Sequence, residues 1–232
     1  MNIAIDPQVN SRLRVFLTRH VARHPRTDAA YIRRAARAVV EDGHEVRMPE
    51  GAVEAMLAFE DRFGGLSYAV PGWPNEMEYG LDGDVSLYET PLGWAFYGVL
   101  DGSQTAPLDV LLDGRVTACL GTWSQRVLDD SAEQRLNKHA LLLEVASMPR
   151  AVFSQVVPTG EPAVGAGLGL PAVVEASGGG DRWWRDNRRA VWCHLDAWPA
   201  DGTDHWTVTC FATTQREADH LAEDLRRTGG TG

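Results

Sequence analysis

The amino-acid sequence predicts an α+β fold, with N-terminal helices packed on a mainly antiparallel sheet and a C-terminal β-hairpin plus helix as an appendage. Residues 94–120 indicate the sheet, because aromatic and β-branched runs are separated by Asp113-Gly114, a dipeptide suited to a two-residue hairpin turn. Apolar residues at helical spacing on both sides of this block indicate the helices. We therefore expect an α+β domain over residues 1–149 and an extension over residues 150–232, which combines a Gly/Pro-rich connection with a β-hairpin–helix unit.

Three helices are predicted before the sheet. The first covers residues 11–23 and ends near a proline, and the second covers residues 27–43, from a Thr-Asp cap to a glycine. The third covers residues 49–65 and ends at Gly64-Gly65. We expect one of these two glycines to adopt the left-handed conformation of a helix C-cap.

The chain after the central block predicts a helix opened by Asp130-Ser131 and, near the C-terminus, a hairpin followed by a second helix. A hairpin loop symmetric about Asp201-Gly202 would place Cys193 opposite Cys210. Strand alternation then puts both thiols on one apolar face, where they would behave as small core residues.

The composition limits the classes of function. The net charge of −10, from 32 acidic and 22 basic residues, disfavours binding to nucleic acid and to anionic membranes. An acidic surface of this kind either serves only to keep the protein soluble or binds a basic protein partner. No apolar run is long enough for a membrane span, no signal peptide is apparent, and the three cysteines lack C-x-x-C spacing. We therefore expect a cytoplasmic protein with reduced thiols and without a metal or cofactor.

The other face of the C-terminal hairpin carries His194, Asp196 and His205 beside tryptophans. A His/Asp cluster among aromatic residues is typical of an acid–base or metal site. The same residues also suit the half-covered face of an edge hairpin, with Asp196 bonded to Thr207. Both interpretations remain open for these three residues.

An acidic loop before the central block is the second candidate. Trp73 lies among Glu76, Glu78, Asp82 and Asp84, and an aromatic anchor rimmed by acids suits a basic partner. The alternative is a solvated turn with a packed tryptophan. A calcium loop is disfavoured because the spacing of the acids misses the twelve-residue pattern, so we interpret Asp82 and Asp84 as turn residues.

Two further motifs are weaker. The basic aromatic run Trp183-Trp184-Arg185 resembles patches that stack on nucleic-acid bases, but a helix start or a partner contact suits the acidic chain better. His20 and His24 have the i, i+4 spacing of a helical metal site, although a solvated basic face explains them without a third ligand.

The order of four short motifs resembles the SUKH superfamily of α+β proteins. They are a helix ending in two glycines (Phe59–Gly65), a strand with a Gly-Val step (Phe96–Gly102), a hairpin (Leu108–Val116) and an acidic-Ser helix start (Asp129–Glu133). The resemblance covers roughly residues 30–145. It implies a scaffold known from bacterial immunity proteins and from regulators of cell-wall synthesis.

Membership of this superfamily would imply a non-catalytic cytoplasmic protein without a cofactor. Its role would be to neutralise a toxin domain, often a nuclease or deaminase, through a shaped and frequently acidic surface. Two alternatives stay open. One is an enzyme or small-ligand-binding protein that uses the His194/Asp196/His205 face or a cleft between core and extension, and the other is an assembly module marked by stable self-association.

Overall fold

A computed structural model describes residues 2–40, 42–70, 77–101, 108–119, 125–156, 164, 166–195 and 205–229. The chain forms two compact units, an N-terminal unit (Met1–Glu133) and a C-terminal unit (Gln134–Gly232). The secondary structure is of the predicted α+β class. The sequence-based division at 149/150 placed the helix of residues 132–145 with the first part, whereas nearly all of that helix belongs to the C-terminal unit.

The N-terminal unit combines three helices with a branched sheet. The helices are α1 (Ser11–Arg19), α2 (Ala29–Ala35) and α3 (Ala52–Phe63). The strands are β1 (Val21–Arg23), β2 (Arg37–Val39), β3 (Glu45–Val46), β4 (Leu66–Val70), β5 (Met77–Leu81), β6 (Ser86–Thr90), β7 (Gly93–Asp101), β8 (Leu108–Leu111), β9 (Val116–Cys119) and β10 (Gln125–Asp129).

Strand β7 organises this sheet, because β5, β6 and β8 all pair with it. One path runs β1-β4-β5-β7-β6-β2-β3, and β8, β9 and β10 continue from β7 as antiparallel neighbours. Among the described strands only β2 and β6 pair in parallel. A hairpin turn forms at the predicted Asp113-Gly114, with Gly114 at a φ of 92°. Its loop contains three residues (112–114) rather than the two predicted, because the Leu111 amide donates a hydrogen bond to the carbonyl of Arg115 at 2.9 Å.

Close packing of α3 on β7 explains one glycine. A Cβ atom added at Gly98 would lie 2.5 Å from Val110 Cγ2 and 3.1 Å from Phe59 Cζ. The ring of Phe59 contacts Phe96 edge to face, with the ring centres 5.5 Å apart. The backbone of β7 must therefore approach the core without a side chain at this position.

The first two predicted helices are shorter than expected. Residues 21–23 form β1 on the edge of β4, and residues 37–39 form β2 beside β6. Pairing with distant strands therefore overrides the helical periodicity of these stretches. The third prediction holds at its C-terminal end, since Gly65 follows α3 with a φ of 74°.

The C-terminal unit is a four-stranded antiparallel sheet between two helices. Its elements are α4 (Ala132–Val145), β11 (Arg150–Val156), β12 (Asp181–Arg185), β13 (Arg189–Leu195), β14 (His205–Ala212) and α5 (Gln215–Gly229). The strand order is β11-β14-β13-β12. The predicted C-terminal hairpin plus helix is therefore present as β13, β14 and α5.

The hairpin register differs from the prediction by two residues. Cys193 lies opposite Val208, and Cys210 lies opposite Val191. Because an even offset preserves which side chains share a face, both thiols are still buried on the apolar face, where α5 packs. The opposite face contributes Trp183 to a second core cluster with residues of α4. No helix in the described ranges is both long and apolar enough to cross a membrane.

Candidate functional site

The structure describes only three of the five predicted partner-binding residues, namely Glu78, Asp82 and Asp84. Trp73 and Glu76 lie outside the described residues, in the segment that joins β4 to β5. Glu78 follows on β5, where its side chain is exposed. Glu78 is paired with Ala69 of β4 and lines a cleft of about 530 Å³.

The other two predicted acids have local partners. Asp82 is exposed and accepts a hydrogen bond from Thr27 Oγ1 at 3.0 Å. Asp84 is half-buried, and its Oδ1 accepts hydrogen bonds from the backbone amides of the next two residues at 2.6 and 3.3 Å. The described geometry of Asp82 and Asp84 is that of turn-stabilising residues.

Small side chains shape the cleft beside Glu78. On this face of β4 and β5, Ser67 lies opposite Gly80 and Ala69 lies opposite Glu78. Because these neighbouring side chains are small, they leave the strand backbone uncovered. The Glu78 side chain therefore lies at the cleft and not among large side chains. A partner's side chain can therefore approach both the carboxylate and the strand backbone.

Aromatic residues make the base of the cleft rigid. Tyr68 and Tyr79 also line the cleft, are each 5% exposed, and stack with ring centres 5.6 Å apart. Phe16 of α1 meets Tyr68 edge to face at 5.2 Å. Ser67, which lines the cleft, is hydrogen bonded through Oγ to His24 Nε2 at 2.8 Å. The described part of this surface is therefore supported by aromatic packing on the buried face of β4 and β5.

A buried carboxylate, Glu60 on α3, joins two loops of the N-terminal unit. Its Oε1 accepts a hydrogen bond from the amide of Thr27 at 2.6 Å, and its Oε2 accepts one from the amide of Gly83 at 3.0 Å. Burial raises the pKa of Glu60 although both hydrogen bonds favour its charged form. A Cβ atom at Gly64 would lie 2.2 Å from Glu60 Oε1, which explains the first glycine of the Gly-Gly motif.

A second buried carboxylate, Asp109 on β8, lies in a network that joins four strands. The Tyr88 hydroxyl donates a short hydrogen bond to Oδ1, and Gln125 Nε2 donates to Oδ2 at 3.3 Å. The same Gln125 nitrogen also donates to Thr117 Oγ1 at 2.8 Å. Burial raises the pKa of Asp109, and burial together with the carboxylate raises that of Tyr88. Asp109 is fully buried, so this network connects β6, β8, β9 and β10 in the interior of the sheet.

The histidine face proposed from the sequence is only partly described. His194 and His205 are both half-buried, and Asp196 lies outside the described residues. The ring of His194 lies 4.4 Å from the ring of Trp192, and its backbone is paired with Thr207. Within the described ranges, no three His, Cys, Asp or Glu side chains converge as metal ligands.

The sequence-based interpretation missed a buried ion pair beside this face. Lys138 of α4 places Nζ 2.5 Å from Asp181 Oδ2, and Trp192 Nε1 donates a hydrogen bond to Asp181 Oδ1 at 2.6 Å. Trp192 in turn contacts the ring of His194. Lys138 of α4 is thus connected to His194 of β13 through Asp181 and Trp192. The only sequence signal is that Lys138 is the sole lysine of the chain.

Helix α4 buries other polar groups as well. His139 is 3% exposed, and burial, reinforced by Arg135 and Lys138, lowers its pKa well below the ordinary value. Such a histidine is neutral at physiological pH. Apolar residues at helical spacing therefore account for only part of the buried surface of this helix.

The basic aromatic run forms strand β12 rather than a helix start. Trp183 is fully buried and stacks on Trp192 and Phe211, with ring centres 5.2 and 6.2 Å apart. Arg185 forms a short ion pair with Glu144 of α4. Trp183 is therefore a core residue and is inaccessible for stacking on a base.

The remaining sequence candidates also have structural roles. α1 ends at Arg19, so His20 and His24 do not share one helix as their spacing suggested. Cys193 and Cys210 are fully buried, and burial raises the pKa of Cys210 to about 12. Such thiols are poor nucleophiles at neutral pH.

The Glu78 cleft is the described surface that combines an exposed predicted residue, an open volume and a rigid base. No protein-family model, curated protein or solved structure shows significant similarity to this chain.

Proposed function

We propose that this chain is a non-catalytic binding protein that neutralises a toxin domain, of nuclease or deaminase type, by direct contact. The observation that carries the proposal is the position of Glu78, which is exposed beside a cleft of about 530 Å³. The resemblance to the SUKH superfamily supplies the class of partner. The net charge of −10 favours association with a basic domain.

The chemistry of the cleft suits a lysine or arginine of the partner. Its aliphatic stem can lie over Ala69 and Gly80, while its charged end reaches the Glu78 carboxylate. A carboxylate at the rim of an interface mainly affects the association rate and its dependence on salt, and one shielded from water by the partner contributes more affinity. Glu78 therefore favours basic partners over acidic ones.

The experiment begins with co-expression of the chain and a panel of bacterial nuclease and deaminase toxin domains in cells. We expect growth to be restored against at least one basic domain. Binding of that purified domain is then measured by calorimetry for the wild type, for Glu78→Arg, and for Glu89→Arg. Glu89 is a matched control because it is also an exposed strand glutamate but does not line the cleft.

We expect Glu78→Arg to weaken binding at least tenfold and to reduce its dependence on salt, with Glu89→Arg close to the wild type. Equal affinities for all three proteins would show that the cleft is not the contact surface. Growth restored against none of the domains would contradict the proposed function itself. Circular dichroism of both variants verifies that the fold is unchanged.

A further inference from the structure

The outer edge of strand β11 differs from the other sheet edges. β11 runs over seven residues (Arg150–Val156), pairs with β14 in an uninterrupted register, and has no second partner strand among the described residues. Val152 is 51% exposed. A long regular edge with an exposed apolar residue is a template for pairing with another strand.

The other described edges are protected from such pairing. β1 has three residues, β3 has two, and β10 contains a register shift near its end. The edge of β12 is covered by a preceding segment: the amide of Val173 donates to Trp183 O at 2.8 Å, and the amide of Arg185 donates to Pro171 O at 2.9 Å. These features are the usual means of blocking edge-to-edge association. In β11, by contrast, residues 151–156 contain no charge, proline or bulge.

The backbone of β11 directs alternate residues towards the open edge. The carbonyl of Pro149 accepts a hydrogen bond from the amide of Ala212 in β14, at 3.1 Å. Because neighbouring residues of an antiparallel strand alternate in direction, the peptide groups of Val152 and Ser154 point away from β14. The carbonyl of Arg150 points the same way and accepts a hydrogen bond from Gln215 Nε2 at 2.9 Å. The open part of the edge is thus centred on Phe153.

We propose that a second copy of this chain occupies this edge, with the two β11 strands antiparallel about a two-fold axis at Phe153. Val152 of each copy then lies opposite Ser154 of the other, and these pairs exchange about four backbone hydrogen bonds. The edge is complementary to itself in this arrangement, because the backbone N–H and C=O groups of both Val152 and Ser154 point away from β14 and towards the other copy. The two four-stranded sheets become one continuous sheet.

The charges of the edge are compatible with this pairing. Arg150 is the only charged residue of the strand and lies opposite Val156 of the other copy. The two arginines therefore lie at opposite ends of the paired strands, about 20 Å apart, where their repulsion is screened. A single strand pair buries less area than a standard interface, so the dimer is expected to be weak and reversible.

The test is sedimentation equilibrium of the full chain from about 1 µM to about 500 µM, a range suited to a weak dimer. We expect the average mass to rise from the 25.4 kDa of one chain towards twice that value. Val152→Lys and Ser154→Pro are each expected to raise the dimer dissociation constant at least tenfold. The proline removes an outward amide, which β14 does not use.

Val174→Lys is the matched control, because Val174 is 76% exposed and lies in a short helical turn away from the edge. It should dimerise like the wild type. Amide hydrogen exchange at Val152 and Ser154 should slow with increasing concentration only in proteins that dimerise.

A wild type that stays monomeric throughout the range would overturn the proposal, as would dimers that survive both Val152→Lys and Ser154→Pro. A monomer that instead protects these amides on binding a toxin domain would show that the edge serves another protein. The dimerisation measurement itself needs no toxin partner, so its outcome is independent of the proposed function.

Discussion

Loss of the Lys138 ammonium group should destabilise the C-terminal unit strongly. Its Nζ lies 2.5 Å from Asp181 Oδ2, and the two side chains are only 8% and 6% exposed. In the variant Lys138→Met the methionine fills most of the same space but leaves the carboxylate without its cation. We expect the free energy of unfolding to fall by about 3–5 kcal/mol, the usual cost of breaking a buried ion pair by removing one partner.

The geometry explains why the loss should be this large. Trp192 Nε1 donates one hydrogen bond to Asp181 Oδ1 at 2.6 Å, but a neutral donor compensates only part of the cost of a buried charge. Removing the charge as well should therefore restore most of the stability. The double variant Lys138→Met/Asp181→Asn keeps an acceptor for Trp192 and no longer buries an unpaired ion. We expect it to be at least about 2 kcal/mol more stable than Lys138→Met alone.

Two measurements follow the unfolding of this unit. Urea denaturation is monitored by tryptophan fluorescence, to which the buried Trp183 and the half-buried Trp192 contribute. In the wild type and in Asp181→Asn, which keep the amine, acylation of Lys138 is located by peptide mass spectrometry, which separates it from acylation of the N-terminal amine; the chain contains no other lysine. In the wild type this amine should react only when the unit opens.

Two results would refute this reasoning. One is a loss below about 1 kcal/mol for Lys138→Met, which would show that the carboxylate is stabilised without its cation. The other is a double variant as unstable as the sum of the two single variants, which would show that the two side chains act independently.

Two further predictions concern the packing of β7 and the charge state of α4. Gly98→Ala should lower the free energy of unfolding of the N-terminal unit by about 1–3 kcal/mol, because the added methyl group would lie 2.5 Å from a valine of β8; thermal denaturation measures the loss. Because the pKa of His139 is lowered in the folded state, the unfolded chain binds a proton first as the pH falls below about 6.5. Protonation of His139 in the unfolded chain should then lower the free energy of unfolding by up to about 1.4 kcal/mol per pH unit. The variant His139→Gln should lack this contribution to the pH dependence.

Matched controls separate these effects from general damage. Gly167→Ala adds a methyl group where no atom lies within 4 Å, and it should leave stability nearly unchanged. His44→Gln changes a histidine of the N-terminal unit whose side chain is 83% exposed, so it tests whether the effect of His139→Gln is specific to the buried ring. Equal losses for both alanine variants, or equal pH profiles for both glutamine variants, would contradict the respective prediction.

Local sequence signals predicted the features that short segments determine. Asp113-Gly114 and Gly65 are turn and cap positions whose conformation depends on the residue itself, and both are confirmed. The apolar face of the C-terminal hairpin was also correct, although its register was not, because an even offset leaves the face unchanged.

Features that depend on distant partners could not be predicted in this way. Residues 21–23 and 37–39 continue helical patterns in the sequence, and only β4 and β6 make them strands. Lys138 and Asp181 are separated by 43 positions and have no local feature that pairs them. The same holds for Glu60, whose two donors lie 33 positions before it and 23 positions after it.

The two proposed contact surfaces differ in physical character, and this difference allows them to be separated in one protein. The Glu78 contact depends on an exposed charge, so its affinity should fall as salt screens the carboxylate. Pairing through β11 depends on backbone hydrogen bonds and on Val152, and salt screens the repulsion between two copies that each carry a net charge of −10, so added salt should not weaken the dimer. A titration with salt should therefore release a basic toxin domain while leaving the dimer intact. Loss of both at the same salt concentration would mean that one charged surface serves both functions.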